Sequence, residues 1–381
     1  MTRLLVLSAG AGAGHNRAAE AVREHAVEAG VGAEWFDSLS FTGRVFRTLY
    51  AESYIWMASH SPALWGMLYR VMGDRVEQPN VRKLMKTYDS LNYRRLMRRV
   101  EEARPDAIIC THFLPANVAR AHLGDAGVPV FTVLTDLDVH RFWIGEGIAG
   151  YFAGNDQVAW QLGKFGVPAD RIHITGIPIH PSFSRTRGRD VVRKELSLAP
   201  QTPVVLFMSG GFGMGNMEEA LERLIALPTP FQLVVVAGKN EKMRGRLAKI
   251  ARASARQARV FGFVPNPHDF MEAADVMVSK AGGLTTSECL ARGLPLIVYS
   301  PVPGQEERNA DFLTERGAAV QAPTLDLLEY KVRELLEDPP RLARMKSSAA
   351  ATARPLAGRE IVARVVEHLG SRIDRPSHGS L

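Results

Sequence analysis

LLVLSAGAGAGHNRAAEAVREHAVEAG, residues 4–30, opens with four apolar residues, passes through alternating glycines and enters a helical pattern. Ala18, Val22, Ala26 and Ala29 recur at helical spacing, and Gly30 supplies a stop. The same grammar returns at residues 204–227, VVLFMSGGFGMGNMEEALERLIAL, where Asn216 is placed to cap a helix whose apolar face is Met217, Leu221, Leu224 and Ile225. A strand, a glycine turn and a helix form the opening unit of a doubly wound α/β domain. Two such openings in 381 residues predict two such domains, because single cores stop growing near about 250–300 residues.

Further buried parallel strands are expected at DAIIC and PVFTVLTD in the first half, and at FQLVVVAG, DVMVS and LPLIVY in the second. GIPIHPSFSRTRGRD, residues 176–190, reads as the linker. REIVARVVEHLG near the C-terminus reads as a helix, followed by a polar tail expected to be disordered.

Composition excludes several classes. Cys110 and Cys289 lie far apart, so neither a disulfide framework nor a structural zinc is expected, and a reducing cytosol fits. No apolar run approaches the roughly 18 residues of a membrane span. The N-terminus has too short an apolar stretch for a signal peptide, and strand, loop and helix account for all of it. A formal charge of +7 favours an anionic partner without choosing among nucleic acid, a membrane surface and an anionic substrate.

Residues 41–104 break the α/β rhythm. An aromatic, apolar stretch that includes Trp65 gives way to a basic one carrying Arg94, Arg95, Arg98 and Arg99. That combination suits an interfacial helix on anionic lipid, although the residues alone favour a core-packed helix pair with solvated charges, because amphipathic helices are common.

The glycine loops carry the chemistry. A dinucleotide fingerprint requires glycine where His15 stands, although Asp37 lies near the distance expected for a ribose carboxylate. Neither loop has the GK[ST] of a P-loop. In SKAGGLTTSECLARGLPLIV, residues 279–298, Gly282 and Gly283 leave backbone amides open before a helix beginning near Thr285, which makes a seat for a pyrophosphate. Glu288, one turn inside, is placed to accept both hydroxyls of a ribose. Gln305 and Glu306 follow a strand end, where they could read sugar hydroxyls. Phe261 and Phe263 either frame a flat base or pack into the core.

With these pieces in place the chain resembles glycosyltransferase family 28, and within it the diacylglycerol glycosyltransferases. The resemblance spans about residues 4–345 and rests on AGAGHNRAAEAV, SPALWGMLYR, RPDAIICTHFLP, TVLTDLDVHRFW, GIPIHPSF, GGFGMG, KAGGLTTSECLARGLPLIV and GQEERNADFL. It implies a GT-B fold: two Rossmann-like domains facing a cleft, with a C-terminal helix crossing back to the first. The boundaries implied are 1–183 for the lipid acceptor and membrane docking, 184–352 for the UDP-sugar, and 353–381 for the crossing helix and tail.

The resemblance further implies an inverting transfer of glucose or galactose from a UDP-sugar to diacylglycerol, by a peripheral enzyme on the cytoplasmic face of an anionic membrane. No metal, cofactor or nucleic acid is expected. Carried over by motif, Gly211, Gly213 and Gly283 border the diphosphate. Thr285 and Phe263 belong to the donor site, Glu288 takes the ribose, and Gln305 and Glu306 take the sugar. His15 becomes the base that accepts the lipid hydroxyl's proton, with Asp136 a candidate to orient it or stabilise its charge. His140, Trp143 and Trp65 fall on the acceptor and membrane side. Ala13 stands where the family usually has glycine. The alternatives are an N-acetylglucosaminyltransferase acting on a lipid-linked peptidoglycan precursor, a UDP-sugar 2-epimerase, or a silent nucleotide-sugar-binding module.

Overall fold

The computed structural model describes residues 2–10, 12–43, 92–124, 127–208, 216–254 and 258–373. Gly211, Gly213, Trp65, most of the 41–104 segment and the polar tail from residue 374 lie outside the described residues. The chain divides into two units, Met1–Pro181 with Leu356–Leu381, and Ser182–Pro355.

The first unit is built on six parallel strands: β1 (Arg3–Ser8), β2 (Gly32–Asp37), β3 (Ala107–Cys110), β4 (Val130–Val133), β5 (Gly150–Ala153) and β6 (Ile172–Ile174). Their order is β2-β1-β3-β4-β5-β6. The chain steps from β1 outward to β2, then returns to place β3 on the other side of β1. The connections therefore reverse between β1 and β3, and the loops at the carboxyl ends of those two strands splay apart there.

Helix Ala13–Glu28 buries Ala18, Ala19, Val22 and Ala26 against this sheet, and Gly30 follows it at φ +71°. Ala13 is the first helical residue and keeps an ordinary helical sign of φ, so alanine fits there without strain. Helix Ala357–Ile373 packs on the same helix, with Ile361, Val362 and Val365 joining Val6, Ile109 and Phe131 in one core. The close approach requires Gly358, because a Cβ there would overlap the His25 ring, itself held by the Ile179 carbonyl at 3.1 Å.

The second unit repeats the scheme with β7 (Val204–Met208), β8 (Gln232–Val236), β9 (Ala258–Phe261), β10 (Val276–Ser279), β11 (Leu296–Val298) and β12 (Ala319–Gln321). All are parallel, in the order β12-β11-β10-β7-β8-β9, so the reversal lies between β7 and β10. Asn216 caps helix Met217–Ala226 through the Glu219 amide, and Met217, Leu221 and Leu224 are buried as the spacing predicts.

The amino ends of these strands are structural. Asp275, just before β10, accepts hydrogen bonds from Arg193 (2.8 Å), Arg189 (2.5 Å), Lys346 (2.8 Å) and the Val204 amide (2.9 Å). One carboxylate thus ties two helices to the first and fourth strands of the sheet.

Candidate active site

His15 occupies the third position of helix Ala13–Glu28, directly beyond the carboxyl end of β1. Its Nδ1 lies 3.0 Å from the Thr111 carbonyl oxygen, in the loop after β3, and 3.0 Å from Thr135 Oγ1, in the loop after β4. The Thr111 hydroxyl in turn donates to the His15 carbonyl at 2.9 Å. Three strand ends therefore converge on one imidazole at the reversal point of the sheet.

A carbonyl can only accept, so Nδ1 carries the proton and Nε2 carries the lone pair. Nε2 has no hydrogen-bond partner among the described residues. Removal of the ring from water, only partly opposed by the Thr111 carbonyl, pushes its pKa down to about 4. The imidazole is neutral at pH 7 and ready to accept a proton at Nε2.

The glycine loop in front of His15 is fixed from behind. Asp37 Oδ1 accepts from the Gly10 amide at 3.0 Å and from the Leu39 amide at 3.1 Å. A Cβ on Gly10 would come within 2.5 Å of Asp37 Oδ2, so glycine is required there. The carboxylate that a dinucleotide reading would assign to a ribose is engaged in holding the loop.

Around His15 stands an aromatic wall that the sequence did not single out as a unit. His112 meets the His15 ring edge-on, centroids 4.6 Å apart, and Trp143 lies at 6.3 Å. Phe113 packs on His112 at 4.2 Å and on Phe142 at 5.7 Å, and His140 stacks on Phe142 at 4.4 Å. His112 caps helix Phe113–Leu123 by accepting the Leu114 amide at Nδ1. Burial, reinforced by the neighbouring His15, keeps its pKa well below the ordinary value. His140 likewise caps the short turn Arg141–Trp143. Asp136 is half-buried and follows Thr135 directly, while the Nδ1 position itself is taken by Thr111 and Thr135.

In the second unit, helix Gly283–Ala291 starts two residues before the expected Thr285, with Gly282 as its N-cap. The amides of its first turn face the space beyond β10 at that sheet's reversal point. Glu288 is 1% exposed and lies on the second turn. Helix Gln305–Glu315 begins with Gln305 and Glu306 after Gly304, whose φ of +93° sets its entry. Asn309 pins that helix to the glycine turn by donating to the Ala281 carbonyl at 2.9 Å.

Glu306 Oε2 accepts the Val302 amide at 2.6 Å, while Oε1 faces Gly282, 3.5 Å from where a Cβ would stand. Burial raises the Glu306 pKa, against the opposing pull of Lys280. The structure thus joins Gly282, Gly283, Thr285, Glu288 and Glu306 in one region and adds Lys280 to them. Phe261 and Phe263 separate: Phe261 packs on Phe270 at 5.0 Å, whereas Phe263 is 62% exposed beneath the Lys239 ammonium.

Arg94, Arg95, Arg98 and Arg99 share the exposed face of helix Arg94–Ala103, opposite buried Leu96, Met97 and Val100. Arg99 pairs with Glu102 at 2.6 Å; the other three have no ion pair among the described residues. No described helix is long and apolar enough to cross a membrane.

Two doubly wound units, each with a candidate site at its topological switch point, form a GT-B-type fold. MurG of Acinetobacter baumannii superposes with a TM-score of 0.63 at 17% identity, over 96% of this chain and 100% of that one. Staphylococcus aureus MnaA, solved with UDP, gives 0.67 at 14%, over 100% of both chains. At those identities the likeness concerns the fold alone.

Residues 15–179 match the family model for monogalactosyldiacylglycerol synthase, and residues 188–352 match that for group 1 glycosyl transferases. A processive diacylglycerol β-glucosyltransferase of Bacillus cytotoxicus is 30% identical over 371 residues, covering 96% of this chain and 93% of its own. One from Bacillus subtilis is 31% identical over 354 residues, covering 91% and 90%. The chain belongs to the diacylglycerol glycosyltransferase branch of glycosyltransferase family 28.

Proposed function

We propose that the protein is an inverting glycosyltransferase that moves a hexose from a UDP-sugar to the hydroxyl of diacylglycerol. The observation that carries the proposal is the His15 imidazole, fixed by Thr111 in the tautomer that presents a lone pair at Nε2. The acceptor oxygen attacks the anomeric carbon, its proton passes to Nε2, and the bond from that carbon to the diphosphate breaks with its electron pair leaving on UDP. The hydroxyl becomes strongly acidic only as its oxygen bonds to carbon, so a base of low pKa serves late in the step. Asp136, one residue beyond Thr135, is proposed to supply negative charge that would favour the imidazolium so formed. The aromatic wall of Trp143, Phe113 and Phe142 offers an apolar border suited to a lipid acceptor.

The donor is UDP-glucose, a reading supported by the names of the Bacillus relatives. It would lie against the helix starting at Gly283, with ribose on Glu288 and the sugar near Gln305 and Glu306. Gly211 and Gly213, which follow β7 in the sequence, would border the diphosphate, and no metal is called for. Incubation with labelled UDP-glucose or UDP-galactose and diacylglycerol vesicles tests the activity. Label should enter the lipid from UDP-glucose; label confined to water-soluble products would overturn the proposal.

Glu288→Ala is expected to weaken UDP by about 1.5–3 kcal/mol, because two charge-assisted hydrogen bonds to ribose are lost. Calorimetry with UDP alone measures this, and unchanged affinity in a folded variant would remove Glu288 from the ribose.

The exposed arginine face would bring the enzyme to an anionic bilayer, where its acceptor resides. Basic residues near such a surface contribute about 1 kcal/mol each, and salt screens them. Replacing Arg94, Arg95, Arg98 and Arg99 by Gln should reduce flotation with anionic vesicles while leaving UDP affinity intact. Equal flotation of variant and wild type would return these residues to the solvated face of an ordinary amphipathic helix.

A further inference from the structure

Lys280 is the first residue after β10 and is only 9% exposed. It makes no hydrogen bond and no ion pair within 4.0 Å among the described residues. The stem is buried while the ammonium reaches the solvent-accessible space with no side-chain partner in contact, a cation held in place and open to an anionic ligand. Two features show what that ligand is.

The residue sits where the connections of the second sheet reverse, immediately before the first-turn amides of helix Gly283–Ala291. The neighbouring acid is Glu306, which burial shifts toward its neutral form and whose Oε2 is already taken by the Val302 amide. Glu306 is therefore a weak counter-ion, and the local field stays positive where the helix dipole is positive too.

We propose that the Lys280 ammonium binds the diphosphate of the nucleotide-sugar donor and offsets the charge that gathers on its oxygens as UDP leaves. This rests on the donor site assigned above. Lysine serves here as a compact point charge that follows the phosphate oxygens during bond cleavage. The same charge accounts for the burial of Lys280 beside an acid that only partly neutralises it.

The test compares uridine, UMP and UDP by calorimetry on wild type, Lys280→Met and Lys280→Arg, with single-turnover transfer rates alongside. Lys280→Met should raise the Kd of UDP about 10- to 100-fold and leave that of uridine unchanged. It should also lower the rate at saturating donor, and Lys280→Arg should recover most of both losses. Unchanged uridine affinity certifies that the variant is folded. A uniform loss across all three ligands, or an unaltered preference for UDP over uridine, would overturn the proposal. Failure of the donor site itself would look different: wild type would then not bind UDP.

Discussion

Replacing His15 by alanine is expected to lower kcat by about 10²–10⁴-fold while UDP affinity remains near that of the wild type. The loss falls on kcat because Nε2 acts only when the acceptor proton moves. A variant with full turnover would exclude His15 as the base, and one that loses UDP would move it to donor binding. The pH profile adds a second check. With its pKa pushed down to about 4, His15 is neutral throughout the physiological range. The acid limb of kcat/KM should therefore fall below about pH 5, not near the 6.5 of an ordinary imidazole. A limb centred at pH 6.5 would mean that burial does not lower the ring's pKa against the opposing Thr111 carbonyl.

Asp275→Asn should destabilise the second unit by about 3–5 kcal/mol, since it leaves the buried Arg193 without its counter-charge. Burial by itself would raise the Asp275 pKa. The bonds from Lys346, Arg189 and the Val204 amide outweigh it and hold the carboxyl at about 2, against an ordinary 3.8. The sign follows from linkage: a depressed carboxyl pKa stabilises the fold above pH 3.8, and that contribution, about 2 kcal/mol, disappears as pH falls toward 2. Urea unfolding at pH 7 and across this acid window measures both effects. A change below about 1 kcal/mol at pH 7 would show that the cluster is a surface ion pair in energetic terms.

How much of this was legible in the sequence depended on the range of the interaction. The helix after β1 and the helix after β7 were readable because periodicity and capping are local, as Asn216 shows. The internal strands β3, β4, β8, β10 and β11 were readable as apolar runs. The outer strands β2, β6, β9 and β12 were not, because edge strands are only partly buried and carry mixed residues such as Gly32–Asp37. The short β5 begins with Gly150, which weakens the same signal.

The candidate site divides along the same line. His15, Glu288 and Glu306 each stand inside a motif whose backbone announces them. The atoms that hold His15 in its tautomer come from Thr111 and Thr135, about a hundred residues away, so the sequence reading, which offered Asp136 to orient His15 or stabilise its charge, did not single out either threonine. His112 and Lys280 were missed for the same reason. Each acquires its meaning from a neighbour delivered by another strand, His15 in one case and Glu306 in the other. A histidine or a lysine just past the end of a buried strand is the signal that could have found them, since in parallel sheets that end carries the chemistry.

The central claim is a single displacement, with one base and one leaving group, that delivers the hexose to diacylglycerol. Nuclear magnetic resonance of the lipid formed from a UDP-α-hexose tests it most directly, through the coupling of the anomeric proton. A β-linked glycolipid, with the large coupling of a trans-diaxial pair, is the expected result. An α-linked product, or solvent hydrogen appearing in the sugar of UDP-hexose with no glycolipid formed, would contradict it.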